Sequence, residues 1–503
     1  MTLAPSSLAK GQACLDCRRR KIKCDGVRPI CGPCYRAQRY EDCEFGSTLN
    51  SKTPSRMQRI ENDIALVEHR IMDLQIHSSL PLQTLRRDHS GRNGVQTNST
   101  QTQVLQIALE TIVARAEEIG FFLHLPKFRS LCFGTAGSRE RPPSALTDSI
   151  CLWAAVISPS ESLRKPENKF LARAVQASTT ISASSHRLKI LYGIQTEILL
   201  CQYFLHKGRL VEAQYHLSIA VSFAVVGKLA HIGSTGSQFT FRDSIERGEY
   251  IIGYWTVVAL DGIWSSMLNF PSHFGSESIL NADTPWPLEM DTYERNPPIF
   301  PPMNTVRAFM ENVPNEKEPS RLSVLAKAAI LLQKADCISR EWQPNMSSRD
   351  SAAYFQRFSE LNERIRTFRV NSPNTLAGYP PAFKPRVILA HSVAHVATLQ
   401  LNRIFMANAQ CRELALASCK SIVWTIHSAD WKSMAHIDPI IGSIWSTTAG
   451  MLFEEITRIQ TVPGAAAVVA DLRNGYDEIV LSVSHFSKDS AFMQFQLTQL
   501  CGN

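Results

Sequence analysis

Six cysteines lie close together near the N-terminus of this 503-residue chain. They follow the spacing C-x2-C-x6-C-x6-C-x2-C-x8-C and are Cys14, Cys17, Cys24, Cys31, Cys34 and Cys43. The other seven of the 13 cysteines are scattered through the rest of the chain without metal-ligand spacing. Regularly spaced thiolates are typical of structural zinc sites, in which four ligands surround each ion. The N-terminal segment is therefore predicted to fold around zinc.

The six cysteines form two similar halves, and this repeat decides between one ion and two. A single zinc would leave two thiolates over, whereas two ions have eight ligand positions, which six thiolates fill only by sharing two. Cys14-x2-Cys17-x6-Cys24 is followed by Cys31-x2-Cys34-x8-Cys43. Each C-x2-C pair is predicted to open a short helix, and each third cysteine to return on an extended strand. By this symmetry we expect two zinc ions bridged by Cys14 and Cys31.

Other uses of the cysteines fit the sequence less well. Disulfides need an oxidising compartment, and the N-terminal MTLAPSSLAKGQ lacks the apolar core of a secretory signal. A catalytic zinc keeps an open position and usually has His or carboxylate ligands, but residues 1–68 contain no histidine. A zinc module that contacts only other proteins is the main alternative to one that binds nucleic acid.

Positive charge is concentrated in the first half of the repeat. Five of the six residues after Cys17 are basic, namely Arg18, Arg19, Arg20, Lys21 and Lys23. The corresponding stretch after Cys34, YRAQRYED, has two basic and two acidic residues. A basic run is usually a solvated face or a nuclear import signal. Here it lies between two zinc ligands and is held rigidly, which favours binding in a groove lined with phosphates.

Residues 14–43 resemble the fungal binuclear zinc cluster (Zn2Cys6) family of transcription factors. The resemblance rests on the cysteine spacing, on Asp25-Gly26 after the third cysteine, and on Pro29 two residues before Cys31. Members of this family typically read CGG-type triplets, in which basic side chains bond O6 and N7 of guanine. The resemblance implies a nuclear protein that binds double-stranded DNA, regulates transcription by RNA polymerase II and contacts the transcription machinery or coactivators.

The resemblance also implies separate roles for the basic residues. Arg20 and Lys21 are expected to reach base edges in the major groove, with Lys21 the more important of the two. The remaining three are expected to hold phosphates: Arg18, Arg19 and Lys23.

A heptad pattern over 57–76 follows the predicted DNA-binding domain (1–46) and a polar linker (47–56). Its a/d positions are Met57, Ile60, Ile64, Val67, Ile71 and Leu74. The pattern covers only about two and a half heptads, so an amphipathic helix packed on its own protein is an alternative. Because the family usually places a dimerising helix here, and one zinc module offers a small interface to DNA, a coiled-coil homodimer is predicted.

The rest of the chain is predicted to be a helical regulatory domain behind a flexible linker. Residues 77–103 are polar and turn-rich, as linkers are, whereas helical periodicity dominates over 104–503. A helical hairpin is expected over 189–226, and an apolar helix from Ser244 to Leu268 is expected within the core. The segments EYIIGYWTVVALDGIWSSM and TPWP resemble the middle homology region of fungal factors. The predicted fold is thus a small Zn2Cys6 cluster, a short coiled-coil helix and a large all-α domain.

The sequence contains no phosphate-binding loop, dinucleotide-binding turn or nucleophile elbow. His391 and His395 have the spacing of a zinc-protease helix, but Ser392 stands where its general base would be. The formal charge of +8 does not by itself indicate nucleic acid. The sequence predicts a DNA-binding transcription factor and no enzyme. The alternatives are a zinc-organised co-regulator that acts through protein contacts and, from the enzyme class, a catalytic helical domain fused to a zinc module.

Overall fold

The computed structural model describes residues 13–39, 42–43, 45, 93–134, 140–233, 239–295, 305–313, 320–371, 383–434 and 436–502. The chain divides into two compact units, Met1–Gly91 and Arg92–Asn503. Within the described ranges the secondary structure is helical and no strand occurs. No helix in these ranges is long and apolar enough to cross a membrane. The heptad segment and the linker at 47–56 lie outside the described residues.

The first unit contains two short helices, α1 (Leu15–Arg19) and α2 (Gly32–Arg36). Cys14 and Cys31 are their N-caps, so each C-x2-C pair opens a helix as predicted. The expected strand at Cys24 is wrong, because residues 22–27 have no regular secondary structure. A ligand cysteine needs only its sulfur in place, and the described part of the first unit contains no strand with which this segment could pair.

The second unit is built of helices joined by turns and short irregular segments. Its helices are α3 (Asn93–Ile112), α4 (Leu125–Phe133), α5 (Ser144–Ile157), α6 (Glu161–Arg164), α7 (Glu167–Ser178), α8 (Lys189–His206), α9 (Leu210–Val226), α10 (Ser244–Met267), α11 (Ser276–Leu280), α12 (Met290–Arg295), α13 (Thr305–Met310), α14 (Arg321–Glu341), α15 (Ser348–Asn371), α16 (Lys384–Asn402), α17 (Ala409–Ser428), α18 (Ile440–Ile459), α19 (Ala466–Phe486) and α20 (Ala491–Cys501). The helical character predicted for this region is confirmed.

The first helix of this unit begins earlier than residue 104, where the helical region was predicted to start. Helix α3 starts at Asn93, inside the stretch predicted to be a flexible linker. Leu105, Ala108, Leu109 and Ile112 are buried on one side of it. Once this face is anchored, each further residue adds a helical hydrogen bond at little cost, although Gln, Thr and Asn are only moderate helix formers.

The predicted hairpin is present as α8 and α9. Gly208, with φ of +69°, makes the turn between them, a conformation that glycine adopts without steric cost. Helix α9 does not end in a left-handed glycine, because its C-cap Gly227 has φ of −70°. The left-handed residue there is instead Lys228, with φ of 54°.

Helix α10 lies in the middle of the core, as its apolar sequence predicted. Trp255 and Trp264 are completely buried on it. Trp255 stacks on Trp286 with ring centroids 4.3 Å apart, and its indole N–H donates to the carbonyl oxygen of Pro285 at 2.7 Å. The TPWP segment is therefore held against α10 by an aromatic pair and a hydrogen bond, although it forms no helix itself.

Candidate metal centre and nucleic-acid interface

The six cysteine side chains form one buried cluster of free thiols. The Sγ atoms of Cys14 and Cys31 lie 3.6 Å apart, and those of Cys14 and Cys34 3.7 Å. Those of Cys17 and Cys31 lie 3.5 Å apart. Zinc bonds to four sulfurs at about 2.3 Å, which gives a tetrahedron with edges of about 3.8 Å. The spacing, burial and all-sulfur composition of the cluster therefore fit zinc.

The cluster separates into two overlapping sets of four sulfurs, and the atoms within each set lie within 4.8 Å of one another. The sets are Cys14, Cys17, Cys24 and Cys31, and Cys14, Cys31, Cys34 and Cys43. Cys14 and Cys31 occur in both, and they are the pair that the repeat predicted to bridge. Each set has the composition of a closed structural site. Such a site has no open position at which a metal could bind and activate a substrate.

The thiols are too crowded to ionise together without a counter-charge. Burial raises the pKa of Cys34 to about 12, and burial also raises the pKa of Cys17 and of Cys31. At Cys14 burial acts in the same direction, but hydrogen bonds from the Cys17 backbone N–H and from neighbouring thiols lower the pKa to about 6. Several buried thiolates at these distances need a cation among them, which a bound metal supplies.

Helix α1, which carries the start of the basic run, ends in a Schellman motif, a specific hydrogen-bonded helix end. The backbone N–H of Lys21 donates to the Arg18 carbonyl at 3.2 Å, and that of Ile22 donates to the Cys17 carbonyl at 3.0 Å. Lys21 adopts the left-handed conformation, with φ of 55°. Its side chain consequently leaves the end of α1 from a fixed backbone position.

Helix α2 ends in the same motif. The N–H of Gln38 donates to the Tyr35 carbonyl at 3.1 Å, and that of Arg39 donates to the Cys34 carbonyl at 3.0 Å. Gln38 is left-handed, with φ of 53°. The repeat seen in the cysteine spacing is therefore also a repeat of backbone structure, and Gln38 is the structural counterpart of Lys21.

Asp25 ties the two halves together. Its carboxylate accepts hydrogen bonds from the backbone N–H of Gly32, at 2.9 and 3.1 Å, and from that of Val27 at 3.3 Å. A Cβ at position 32 would lie 2.3 Å from Oδ2 of Asp25, so the contact needs glycine. In the sequence Asp25 stood out only as part of the family pattern, because its partner comes seven residues later.

All five basic residues of the first half are exposed: Arg18, Arg19, Arg20, Lys21 and Lys23. Asp16, whose side chain is fully buried, accepts hydrogen bonds from Arg19 at 2.8 Å and from Arg20 at 3.4 Å. Burial acts to raise the pKa of Asp16, but these two guanidinium groups bring it below its usual value. Sequence reasoning missed Asp16, although its spacing to both arginines suits ion pairs on a helix.

Lys21 and Lys23 differ from these arginines, because no carboxylate in the described part of the first unit pairs with them. The residues predicted for dimerisation lie outside the described residues: Ile60, Ile64, Val67, Ile71 and Leu74.

Ser218, His273 and Asp261 in the helical unit are arranged like a catalytic triad, but the surroundings of the serine do not support catalysis. Ser218 Oγ lies 2.7 Å from Nε2 of His273, whose Nδ1 lies 2.7 Å from Asp261. Ser218 is inside α9, where backbone N–H groups bond within the helix and none is left as an oxyanion donor. Asp261 also accepts hydrogen bonds from the loop residues Ser272 and His273.

The paired histidines of α16 also read as structural. Burial lowers the pKa of His395 well below its usual value, and the charges of Arg369 and His391 lower it further. A neutral, buried imidazole on a packed helix agrees with the structural interpretation of the pair.

Residues 12–52 match the family model described as "Fungal Zn(2)-Cys(6) binuclear cluster domain". The chain is 32% identical over 99 residues to "Citrinin biosynthesis transcriptional activator mrl3" of Monascus ruber, a match that covers 18% of this chain and 19% of that protein. It is 32% identical over 99 residues to "Citrinin biosynthesis transcriptional activator ctnR" of Monascus purpureus, covering 18% and 17%. It is 31% identical over 85 residues to "Putative transcription factor SEF1" of Kluyveromyces lactis, covering 17% and 8%.

The chain therefore spans less than a fifth of the length of each of these curated relatives. No solved structure matches the chain. The family model covers the cysteine cluster and the basic run together, and the geometry of the cluster agrees with it. Residues 12–52 of this chain form a fungal Zn(2)-Cys(6) binuclear cluster domain.

Proposed function

We propose that this protein is a zinc-dependent, sequence-specific DNA-binding regulator of RNA polymerase II transcription in the nucleus. One observation carries the proposal: the two halves of the cluster share one backbone plan, but only the first presents a continuous basic surface. The relatives support it, since two are described as transcriptional activators and one as a putative transcription factor.

The second half acts as an internal control for the first. Ala37 and Gln38 occupy the positions of Arg20 and Lys21, and α2 nevertheless ends in the same motif. Positive charge at these two positions is therefore not needed to form the helix or its end. It is available for a partner, and a dense array of Arg and Lys on a rigid element suits the phosphates and guanine edges of DNA.

Two zinc ions would be held by the six cysteines, with Cys14 and Cys31 shared between them. The metal would be structural, because it neutralises the thiolates and fixes α1 and α2. Lys21 and Arg20 would reach base edges in the major groove, and CGG-type triplets suit them because guanine accepts hydrogen bonds at O6 and N7. The phosphate contacts would come from the remaining basic residues of the run: Arg18, Arg19 and Lys23.

The other parts of the chain would determine which DNA sites are bound and how the regulator is controlled. A homodimer through the heptads of 57–76 would bring two modules onto DNA and so double a small interface. The helical unit would be the middle homology regulatory domain and would contact the transcription machinery or coactivators. The alternative is a zinc-organised co-regulator that acts by protein contacts without binding DNA.

The test uses the full chain with Arg20→Ala and Lys21→Ala combined. Sequences bound by the wild type are first selected from random DNA, and affinity is then measured by fluorescence anisotropy over a range of salt concentrations. The double variant should bind at least about 30-fold more weakly, since a base-specific contact is worth about 1–3 kcal/mol. The matched control changes the equivalent positions of the second half, Ala37→Ser and Gln38→Ala, and should bind like the wild type. Unchanged affinity and salt dependence in the first variant would favour the co-regulator.

A further inference from the structure

The helical unit contains a cavity of about 430 Å³. It lies beside the turn that follows α3 and is bordered by α10 and by the start of α14. Apolar side chains form much of its wall, among them Phe121, Leu125, Ile252, Leu288 and Leu322. Its volume is in the range of small-molecule sites, about 300–1,000 Å³.

A smaller cavity of about 40 Å³ continues it inwards. Glu118, Thr256 and Leu322 line both cavities, so the two are contiguous. Gln202 and Asp438 line the inner cavity only. The whole space is thus a wide chamber with apolar and charged walls that continues past Glu118 into a smaller, mostly apolar pocket.

The wall that carries Glu118 is held in place by buried side chains. Gln195 accepts from the Phe122 N–H at 2.8 Å and donates to the Gly120 carbonyl at 3.0 Å. Glu249 accepts from the His124 N–H at 2.9 Å. Gly120 has φ of +80°, and a Cβ there would lie 2.7 Å from Ile198. The chamber is therefore preformed, which reduces the entropy cost of binding.

Two of the three arginines that line the chamber already have anionic or carbonyl partners. Arg321 pairs with Glu117 at 2.6 Å and with Glu289 at 2.9 Å. Arg386 donates to the Glu117 carbonyl at 2.6 Å and lies 3.7 Å from the Glu117 carboxylate. The positive charge of these two is largely neutralised within the protein, so they offer little to an incoming anion. The third, Arg115, interacts electrostatically with the Glu118 carboxylate and acts to lower its pKa.

Two buried hydrogen-bond acceptors in the same space, besides Oε2 of Glu117, have no hydrogen-bond partner among the described residues. Oε2 of Glu118 and Oε1 of Gln202 are buried, and neither accepts a hydrogen bond from any described residue. Gln202 is only 3% exposed, and its amide nitrogen is already committed to Asp438 at 3.0 Å. Buried acceptors are normally satisfied. Nε of Arg321 is the one buried donor lining this space that lacks a hydrogen-bond partner among the described residues, so unsatisfied acceptors outnumber unsatisfied donors.

We propose that this cavity binds a small organic cation, an amine with an aromatic or aliphatic body, whose ammonium group donates to Glu118 while the body packs against the apolar part of the wall. Burial raises the pKa of Glu118 to about 7 against the lowering effects of Arg115 and Arg386, and Glu117 contributes to the rise. A bound ammonium would stabilise the ionised carboxylate by donating to Oε2, which accepts no hydrogen bond from a described residue.

The experiment compares two probes that share a ring and differ in charge, tryptamine and indole-3-propionate. Thermal unfolding of the full chain is followed with each probe at millimolar concentration, and the affinity is measured by calorimetry. Tryptamine should raise the unfolding temperature, and indole-3-propionate should not. In Glu118→Gln, which keeps the shape of the side chain and removes its charge, the affinity for tryptamine should fall at least tenfold.

The matched control is Glu360→Gln, on the exposed face of α15, which should bind tryptamine like the wild type. Binding of indole-3-propionate in preference to tryptamine would overturn the proposal in favour of an anion site. Binding of neither probe to the wild type would overturn it as well, and would leave water as the occupant. Equal tryptamine affinity in Glu118→Gln and the wild type would remove the assigned contact and with it the proposal.

Discussion

Lys21 occupies a backbone conformation that costs free energy for any residue with a Cβ. Its φ of 55° falls at the helix position where glycine is commonest. A lysine here therefore lowers the folding stability of the zinc module, by an amount of order 1 kcal/mol, while it places a charged side chain at the end of α1. This combination is expected where a side chain serves binding more than folding.

Lys21→Gly should separate the two effects. The zinc module should hold its metal as well as or better than the wild type in competition with a chelator, since the strain is relieved, although glycine also gains entropy in the unfolded chain. DNA affinity should fall by about 5- to 150-fold, the value of one base contact of about 1–3 kcal/mol.

Gln38→Gly is the matched control, because Gln38 has the same backbone conformation in the second half. It should retain metal like Lys21→Gly and keep full DNA affinity. Equal losses of DNA affinity in the two variants would show that the backbone, and not the lysine side chain, matters.

At the same scale, the sequence revealed the cysteines of the predicted metal site but not the residues that arrange them. Cysteine spacing identifies a metal site because the cysteine sulfur atoms are themselves the atoms that bind the metal. Asp16 and Asp25 act through partners that are set by the folded chain: Asp16 lies 3.8 Å from Arg39 of the other half, and Asp25 bonds Gly32. Single-sequence patterns show neighbours along one helix, but not contacts across a metal cage.

At the scale of elements, periodicity located most helices and misplaced some of their ends. Helices α8, α9 and α10 have long apolar patterns, and their bounds agree closely with those predicted. Helix α16 ends at Asn402, and a 3-10 turn at Arg403–Phe405 follows. The helical periodicity of the sequence does not show this end, because apolar residues continue into the turn. Packing of Phe405 and its neighbours determines the backbone there.

The heptad segment gives the second prediction at this scale. Ile64→Asp with Ile71→Asp places two charges in the predicted a positions and should convert a dimer to a monomer in light scattering. Affinity for a two-site DNA should fall by roughly 100-fold or more, because the second module no longer binds at high effective concentration.

The sequence also offers a control with the same number of changes. Leu66 and Met72 are apolar residues of the same segment that lie outside the seam, so Leu66→Asp with Met72→Asp should leave the dimer intact. A seam variant that stays dimeric and keeps its DNA affinity would support the alternative, an amphipathic helix packed on its own protein.

At the scale of the whole molecule, the chain has two cores of different kinds. The first unit has a cluster of six cysteines with Ala13, Ile30 and Phe45 packed against it. The second has a large apolar core that contains none of these cysteines. Folding energy in the first unit must come chiefly from metal, since so small a segment buries little apolar surface, whereas the second is stabilised by hydrophobic burial.

Removal of zinc should therefore affect the two units unequally. Elemental analysis of the untreated protein should give two zinc ions per chain, and excess EDTA should remove both and abolish DNA binding. The far-UV helical signal and the main thermal transition should change little, because α1 and α2 are short and the helical core has no metal ligands of this cluster. Cys337→Ser, which removes an exposed cysteine outside the cluster, should retain both ions. One zinc per chain would contradict shared thiolates at Cys14 and Cys31, and a large fall in the main transition would show that the helical unit depends on the metal.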